Sequence, residues 1–169
     1  NENTITLNIQ ADLINTSAIA FDLVALKRNI ILQANAVYNN SFGKYRVTLK
    51  LDVKILTNIH HCSPKKVLFQ IAEGITGSNP AEADLKGLRI KLNPLHVNEI
   101  ISGVNFRTIP HEIGHLFGWN HPHARGTFES INIEAHLLEQ QLTEQERQSN
   151  LMSQTWYPQK AGLSLQRAM

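Results

Sequence analysis

Cysteine is almost absent from this 169-residue chain, in which Cys62 is the only one. A single cysteine excludes a disulfide within the chain, so the hydrophobic core has to stabilise the fold. With 42% hydrophobic residues, the chain is long enough for one domain with a sizeable core. We therefore expect a single domain over residues 1–169.

Long basic runs and long apolar runs are also missing. The formal net charge is +2, and the pair Lys65-Lys66 does not extend into a longer basic segment. This distribution of charge argues against a nucleic-acid groove. No apolar run is long enough to cross a bilayer. We predict no nucleic-acid partner and no membrane span.

Four stretches of the chain alternate apolar and polar residues, as a strand with one buried face does. They lie at 4–10, 47–55, 67–71 and 88–92, and a weaker fifth candidate lies at 96–102. Strands of a sheet covered on both faces would be continuously apolar, so we expect helices on one face only. A long amphipathic helix between residues 19 and 37, capped within Asn15-Thr16-Ser17, would supply part of that cover. The pattern predicts an α+β fold.

The residue types that bind metals are concentrated in one stretch, HEIGHLFGWNH, from His111 to His121. Residues i and i+4 share one face of a helix, so His111 and His115 can bind the same cation, with Glu112 beside them. Gly118 tolerates a positive φ, which would end the helix and let the chain turn back. His121 would then arrive as a third ligand.

Three imidazoles leave one position of a tetrahedral zinc ion open for water, which is the form of a catalytic site. Zinc lowers the pKa of bound water to about 7, and Glu112 can accept its proton as the water attacks a carbonyl. We therefore predict one catalytic Zn²⁺ held by His111, His115 and His121. His123 as a substitute ligand, and a second metal at His60-His61-Cys62, are less favoured alternatives.

The start of the active-site helix is predicted from its proline. Pro110 is tolerated in the first turn of a helix and is costly further in. Asn105 or Thr108 is therefore the expected cap, and Ile113, Leu116 and Phe117 are expected to face the core. The Glu- and Gln-rich stretch from 127 to 150 is interpreted as a mostly solvated helix or helical loop.

HEIGHLFGWNH resembles the elongated zinc signature of the metzincin metallopeptidases. The later stretch Asn150-Leu151-Met152-Ser153-Gln154 resembles their Met-turn. This resemblance implies a twisted, mixed five-stranded sheet with two long helices on one face. It also implies an N-terminal subdomain over 1–121, with the active-site helix, and a small C-terminal subdomain over 122–169.

The resemblance further implies roles for residues of the C-terminal subdomain. Met152 is expected to form the apolar floor beneath the zinc ion. Trp156 and Tyr157 lie where the clan builds the wall of its S1′ pocket, so they are candidate substrate contacts. Astacins and serralysins carry a tyrosine where this chain has Gln154, so a tyrosine ligand is not expected.

The function implied by the resemblance is that of a zinc endopeptidase acting on protein or peptide substrates. The substrate would pair with an exposed edge strand, expected at Leu88–Leu92. Secretion is implied as well, after removal of a signal that the sequence does not contain. Two alternatives remain open: a catalytically idle zinc-binding scaffold, and the catalytic fragment of a secreted multi-part toxin or effector.

The lone cysteine and the end of the chain bear on the second alternative. A single cysteine in an exported protein is either an isolated loop residue or forms a disulfide with a cysteine outside this chain. Both interpretations apply to Cys62. Residues 163–169 are typical of the opening of a helix. We therefore expect a C-terminal continuation, and an additional chain or tail is a candidate partner of Cys62.

Overall fold

The computed structural model describes residues 3–42, 45–75, 79–84 and 88–118. Within these ranges the chain forms three α-helices and one mixed six-stranded sheet, so the predicted α+β class is confirmed. The strands are β1 (Asn3–Asn15), β2 (Asn40–Phe42), β3 (Tyr45–Ile55), β4 (Val67–Ile71), β5 (Ala81–Asp84) and β6 (Arg89–Leu92). The helices are α1 (Leu23–Tyr38), α2 (Val97–Ser102) and α3 (Thr108–Leu116).

The sheet has two antiparallel edges around a parallel centre. Its strands lie in the order β2-β3-β1-β4-β6-β5. Strands β3, β1, β4 and β6 are parallel to one another, whereas β2 and β5 run antiparallel to their single neighbours. The expected number of five strands is wrong, because the described residues already form six.

The strands that sequence patterning missed are short and rich in polar or small residues. β5 has the sequence AEAD, and alanine, glutamate and aspartate all have low strand propensity. It is a strand because it pairs with β6 while Ala81 is buried against the core. β2 is three residues long and pairs with the start of β3.

The expected fifth strand at 96–102 is wrong. Pro94–His96 forms a 3₁₀ helix that leads directly into α2. The side chain of Asn93 accepts a hydrogen bond from the Leu95 N–H at 3.1 Å, which is a helix-start arrangement. Gly103 ends α2 with a φ of +78°. The described residues therefore contain three helices, and the additional one, α2, is only six residues long.

The main core lies between one face of the sheet and the three helices. Alternate residues of β1, β3, β4 and β6 enter it together with the buried sides of α1, α2 and α3. Phe69, Ile90 and Ile113 are among its fully buried members. The apolar positions of the alternating pattern therefore lie on the face of the sheet that the three helices cover, and the positions between them lie on the second, opposite face.

Part of the second face is covered by the segment 56–66. Buried Asp12 on β1 accepts a hydrogen bond from the Ser63 N–H at 3.1 Å and lies 3.7 Å from the Lys66 ammonium. Cys62 packs beside a small apolar cluster, formed by Ile14, Leu56 and Leu68. Burial and the nearby Asp12 carboxylate raise the pKa of the Cys62 thiol. Its partner outside the chain stays a prediction.

Helix α1 begins later than the sequence pattern indicated. Asp22 caps it, because its carboxylate accepts hydrogen bonds from the N–H groups of Val24 and Ala25 at 3.0 and 2.9 Å. The predicted cap within 15–17 is wrong, since Asn15 instead accepts from Ser17 in a turn after β1. None of the described helices is long and apolar enough to cross a membrane.

Candidate metal centre

Helix α3 carries the first part of the predicted zinc motif. It spans Thr108–Leu116, so Pro110 falls in its first turn as expected. The expected cap at Asn105 or Thr108 is wrong, because Arg107 stands at the N-cap and makes no side-chain capping bond. The Asn105 side-chain oxygen nevertheless accepts a hydrogen bond from the Thr108 N–H at 3.2 Å. Ile113 is buried as predicted, and Leu116 packs partly against the core. Phe117 is more exposed than expected, at 37%.

The two histidines of the helical motif lie side by side. His111 and His115 are one turn apart in α3, their ring centroids are 4.8 Å apart, and the rings are perpendicular. Both side chains are partly accessible to solvent. Two imidazoles one helical turn apart match the spacing of the helical ligand pair in zinc sites. This donor pair is suited to a divalent metal.

The third predicted ligand lies outside the described residues. His121 follows the last described residue by three positions, and Met152, Trp156 and Tyr157 are further along. Within residues 3–42, 45–75, 79–84 and 88–118, no group of three or more His, Cys, Asp or Glu side chains is placed to bind a metal. The described part of the chain therefore supplies two of the three proposed ligands.

Gly118 takes the conformation that the sequence predicted. Its φ is +86°, in the left-handed region, and its N–H donates to the carbonyl of His115 at 2.9 Å. The Phe117 N–H donates to the carbonyl of Gly114 at 3.0 Å, which tightens the last turn of α3. The chain thus leaves the helix directly after the second histidine, as a glycine-terminated helix does.

Substituting Gly118 tests this helix end. Gly118→Ala should lower the free energy of unfolding by about 1 kcal/mol, because a side chain disfavours the left-handed region. Among the described residues no atom lies within 4 Å of the added Cβ, so the expected cost comes from the backbone conformation. Gly118→Asn should cost less, because asparagine tolerates this region. Urea unfolding of the zinc-free variants measures both, and an alanine variant as stable as wild type would contradict the assignment.

Glu112 is held in an unusual environment for a carboxyl group. It is 6% exposed, and α3 packs against the edge strand β5. Burial raises its pKa, the Ala83 backbone hydrogen bond lowers it, and repulsion from Glu82 raises it again, giving a pKa of about 8. A group with a pKa near the working pH is suited to taking and returning a proton.

This raised pKa predicts that the zinc-free protein loses stability as the pH rises. In the unfolded chain Glu112 ionises near pH 4.5, whereas in the fold it keeps its proton up to about pH 8. Between these values the unfolded state has released its proton and the folded state has not, so rising pH favours unfolding. Each pKa unit corresponds to about 1.4 kcal/mol, so the loss amounts to a few kcal/mol.

Glu112→Gln provides the comparison, because glutamine does not titrate. The difference in unfolding free energy between wild type and variant should change by a few kcal/mol between about pH 5 and pH 8. Chemical unfolding in the presence of a chelator measures this difference. Parallel pH profiles for the two proteins would contradict the raised pKa.

The edge strand beside Glu112 is a different strand from the one expected. The segment predicted as the edge, Leu88–Leu92, contains β6, which lies inside the sheet between β4 and β5. Among the described strands, the edge on this side is β5, at Ala81–Asp84. Ala83 reaches Glu112 through its backbone, so no side-chain pattern marks it in the sequence.

Comparisons with protein-family models, with curated proteins and with solved structures each found no match for this chain.

Proposed function

We propose that this protein is a zinc endopeptidase in which His111, His115 and His121 bind one Zn²⁺ and Glu112 is the general base. The observation that carries the proposal is the arrangement on α3. The ring centroids of His111 and His115 lie 4.8 Å apart. Glu112, which directly follows His111, is buried, and its helix packs against the edge strand β5. A helix that serves only to fill a core has no need of this combination.

The chemistry divides between the metal and the chain. When bound, zinc would act as a Lewis acid that polarises a peptide carbonyl and acidifies water. Glu112 would accept the proton of the attacking water and return it to the leaving amine. The burial of Glu112 excludes bulk water from its carboxyl group. The positive charge of a bound zinc ion would lower the pKa of Glu112 from its metal-free value.

The edge strand supports a peptide as the substrate. Among the described strands, β5 pairs with β6 only, so no described strand pairs with its other edge. An extended peptide can bind such an edge through main-chain hydrogen bonds, which requires no particular side-chain sequence. Because Ala83 on this strand bonds Glu112, a peptide placed there would lie next to the general base.

Digestion of casein, an unstructured protein, tests the proposal. Protein loaded with zinc should cleave casein, a strong zinc chelator should stop the reaction, and added zinc should restore it. Zinc binding without cleavage would instead support the idle-scaffold alternative. Cleavage that is unaffected by the chelator would contradict the role of the metal.

A further inference from the structure

Tyr38, the last residue of α1, contacts the helix that carries the candidate ligands. Its hydroxyl donates a hydrogen bond to the carbonyl oxygen of Pro110 at 2.7 Å, and the side chain is 2% exposed. Pro110 directly precedes His111 in α3. The bond therefore links the C-terminal end of α1 to the residue before the first ligand.

The same tyrosine also contacts the other end of this segment. Its ring lies 5.5 Å from the ring of Phe117, in an edge-to-face arrangement with an interplanar angle of 83°. Phe117 follows His115 by two positions and directly precedes Gly118. One buried side chain thus contacts α3 before the first histidine and after the second.

Two other polar side chains of α1 bond to different parts of the described chain. Asn29 donates to the carbonyl of Ile101 at 2.8 Å, and Gln33 donates to that of Asn105 at 3.0 Å. These bonds hold α2 and the loop before α3. The Tyr38 hydroxyl bond is different because its acceptor lies within the helix of the two histidines. Burial also raises the pKa of Tyr38, so its hydroxyl stays a donor at ordinary pH.

We propose that Tyr38 is a positioning residue of the metal centre, fixing the rotation and depth of α3 so that His111 and His115 face one ion. This inference rests on the proposed function. The hydroxyl acts through the Pro110 carbonyl and the ring acts through Phe117. Groups that orient metal ligands from outside the coordination sphere typically change metal affinity by about 10–100-fold when removed.

Tyr38→Phe is the direct test, because it removes the hydroxyl and keeps the ring. We expect zinc to bind about tenfold more weakly to the full chain. We also expect the visible absorption of the Co²⁺-loaded protein to change, because that spectrum depends on the geometry of the ligands. Tyr38→Leu, which also removes the ring contact, should have a larger effect on both.

Asn29→Ala is the matched control. It removes a hydrogen bond of similar length from the same helix, but the bond ends on α2. We expect it to lower stability and to leave zinc affinity and the Co²⁺ spectrum unchanged. If Tyr38→Phe fails to fold, Phe117→Leu tests the proposal instead, because Phe117 is the more exposed partner of the ring contact. This variant should weaken zinc binding.

The outcomes separate the two proposals. Suppose that the wild type binds zinc and that a folded Tyr38→Phe variant has the same zinc affinity and the same Co²⁺ spectrum. This result would overturn the positioning role alone. An unchanged zinc affinity of Phe117→Leu would do the same if the tyrosine variants do not fold. Wild type that binds no zinc would overturn both the positioning role and the proposed function.

Discussion

Glu112→Gln should retain zinc and lower the rate of casein cleavage by about 10²- to 10⁴-fold, the range typical of losing a general base. Glutamine has nearly the same shape as glutamate, and its carbonyl oxygen can still accept the hydrogen bond from the Ala83 backbone. The negative charge and the ability to take up a proton are lost. Because the variant should still fold and hold zinc, a lower rate at a pH where both proteins are folded reports on catalysis.

The controls for this experiment come from the same chain. Glu73→Ala changes an exposed glutamate outside α3 and should leave the rate unchanged. Zinc content, measured by elemental analysis, should be the same for wild type and for both variants. Cleavage by Glu112→Gln at the wild-type rate would show that another group carries the proton.

The second large effect is expected from the metal ligands. His115→Ala should weaken zinc binding by more than the about 10–100-fold that follows loss of an outer-shell partner, because a direct ligand is removed. Competitive titration against a chelator of known affinity measures this change. The stabilisation of wild type by added zinc, seen as a rise in its unfolding temperature, should be reduced accordingly.

His60→Ala is the matched control for the ligand substitution. His60 is exposed in the 3₁₀ helix Ile59–His61 and belongs to the less favoured metal cluster His60-His61-Cys62. We expect its zinc affinity to equal that of wild type. The reverse result, in which His60→Ala loses zinc and His115→Ala keeps it, would move the metal to the other side of the sheet.

The fold was predictable where local pattern and burial agree. The alternation at 47–55 and 67–71 marks strands with one face in the core, and these strands are present. The left-handed Gly118 was also predictable, because the site needs a turn after a helix and glycine allows it.

The edge strand was not predictable from local pattern. The AEAD segment is a strand because of its pairing with β6 and its packing under α3, both of which are tertiary. The expected strand at 96–102 failed for a related reason. Val97 and Ile100 are buried at helical spacing, and Asn93 with Pro94 starts a helix before them.

The surroundings of the candidate site also depend on contacts between distant residues. The types and spacing of His111, Glu112 and His115 were sufficient to predict a metal-binding helix. Nothing in that stretch indicates that Glu112 would be buried beside Ala83, because the strand lies 29 positions earlier in the chain. The Tyr38 hydroxyl bond spans 72 positions and has no local signature.

Zinc stoichiometry is the most direct test of the central claim that α3 presents a metal site. We predict one zinc ion per 169-residue chain after dialysis against buffered zinc, and loss of that ion in the double variant His111→Ala, His115→Ala. Wild-type protein that holds no stoichiometric zinc, or a double variant that keeps it undiminished, would contradict the account.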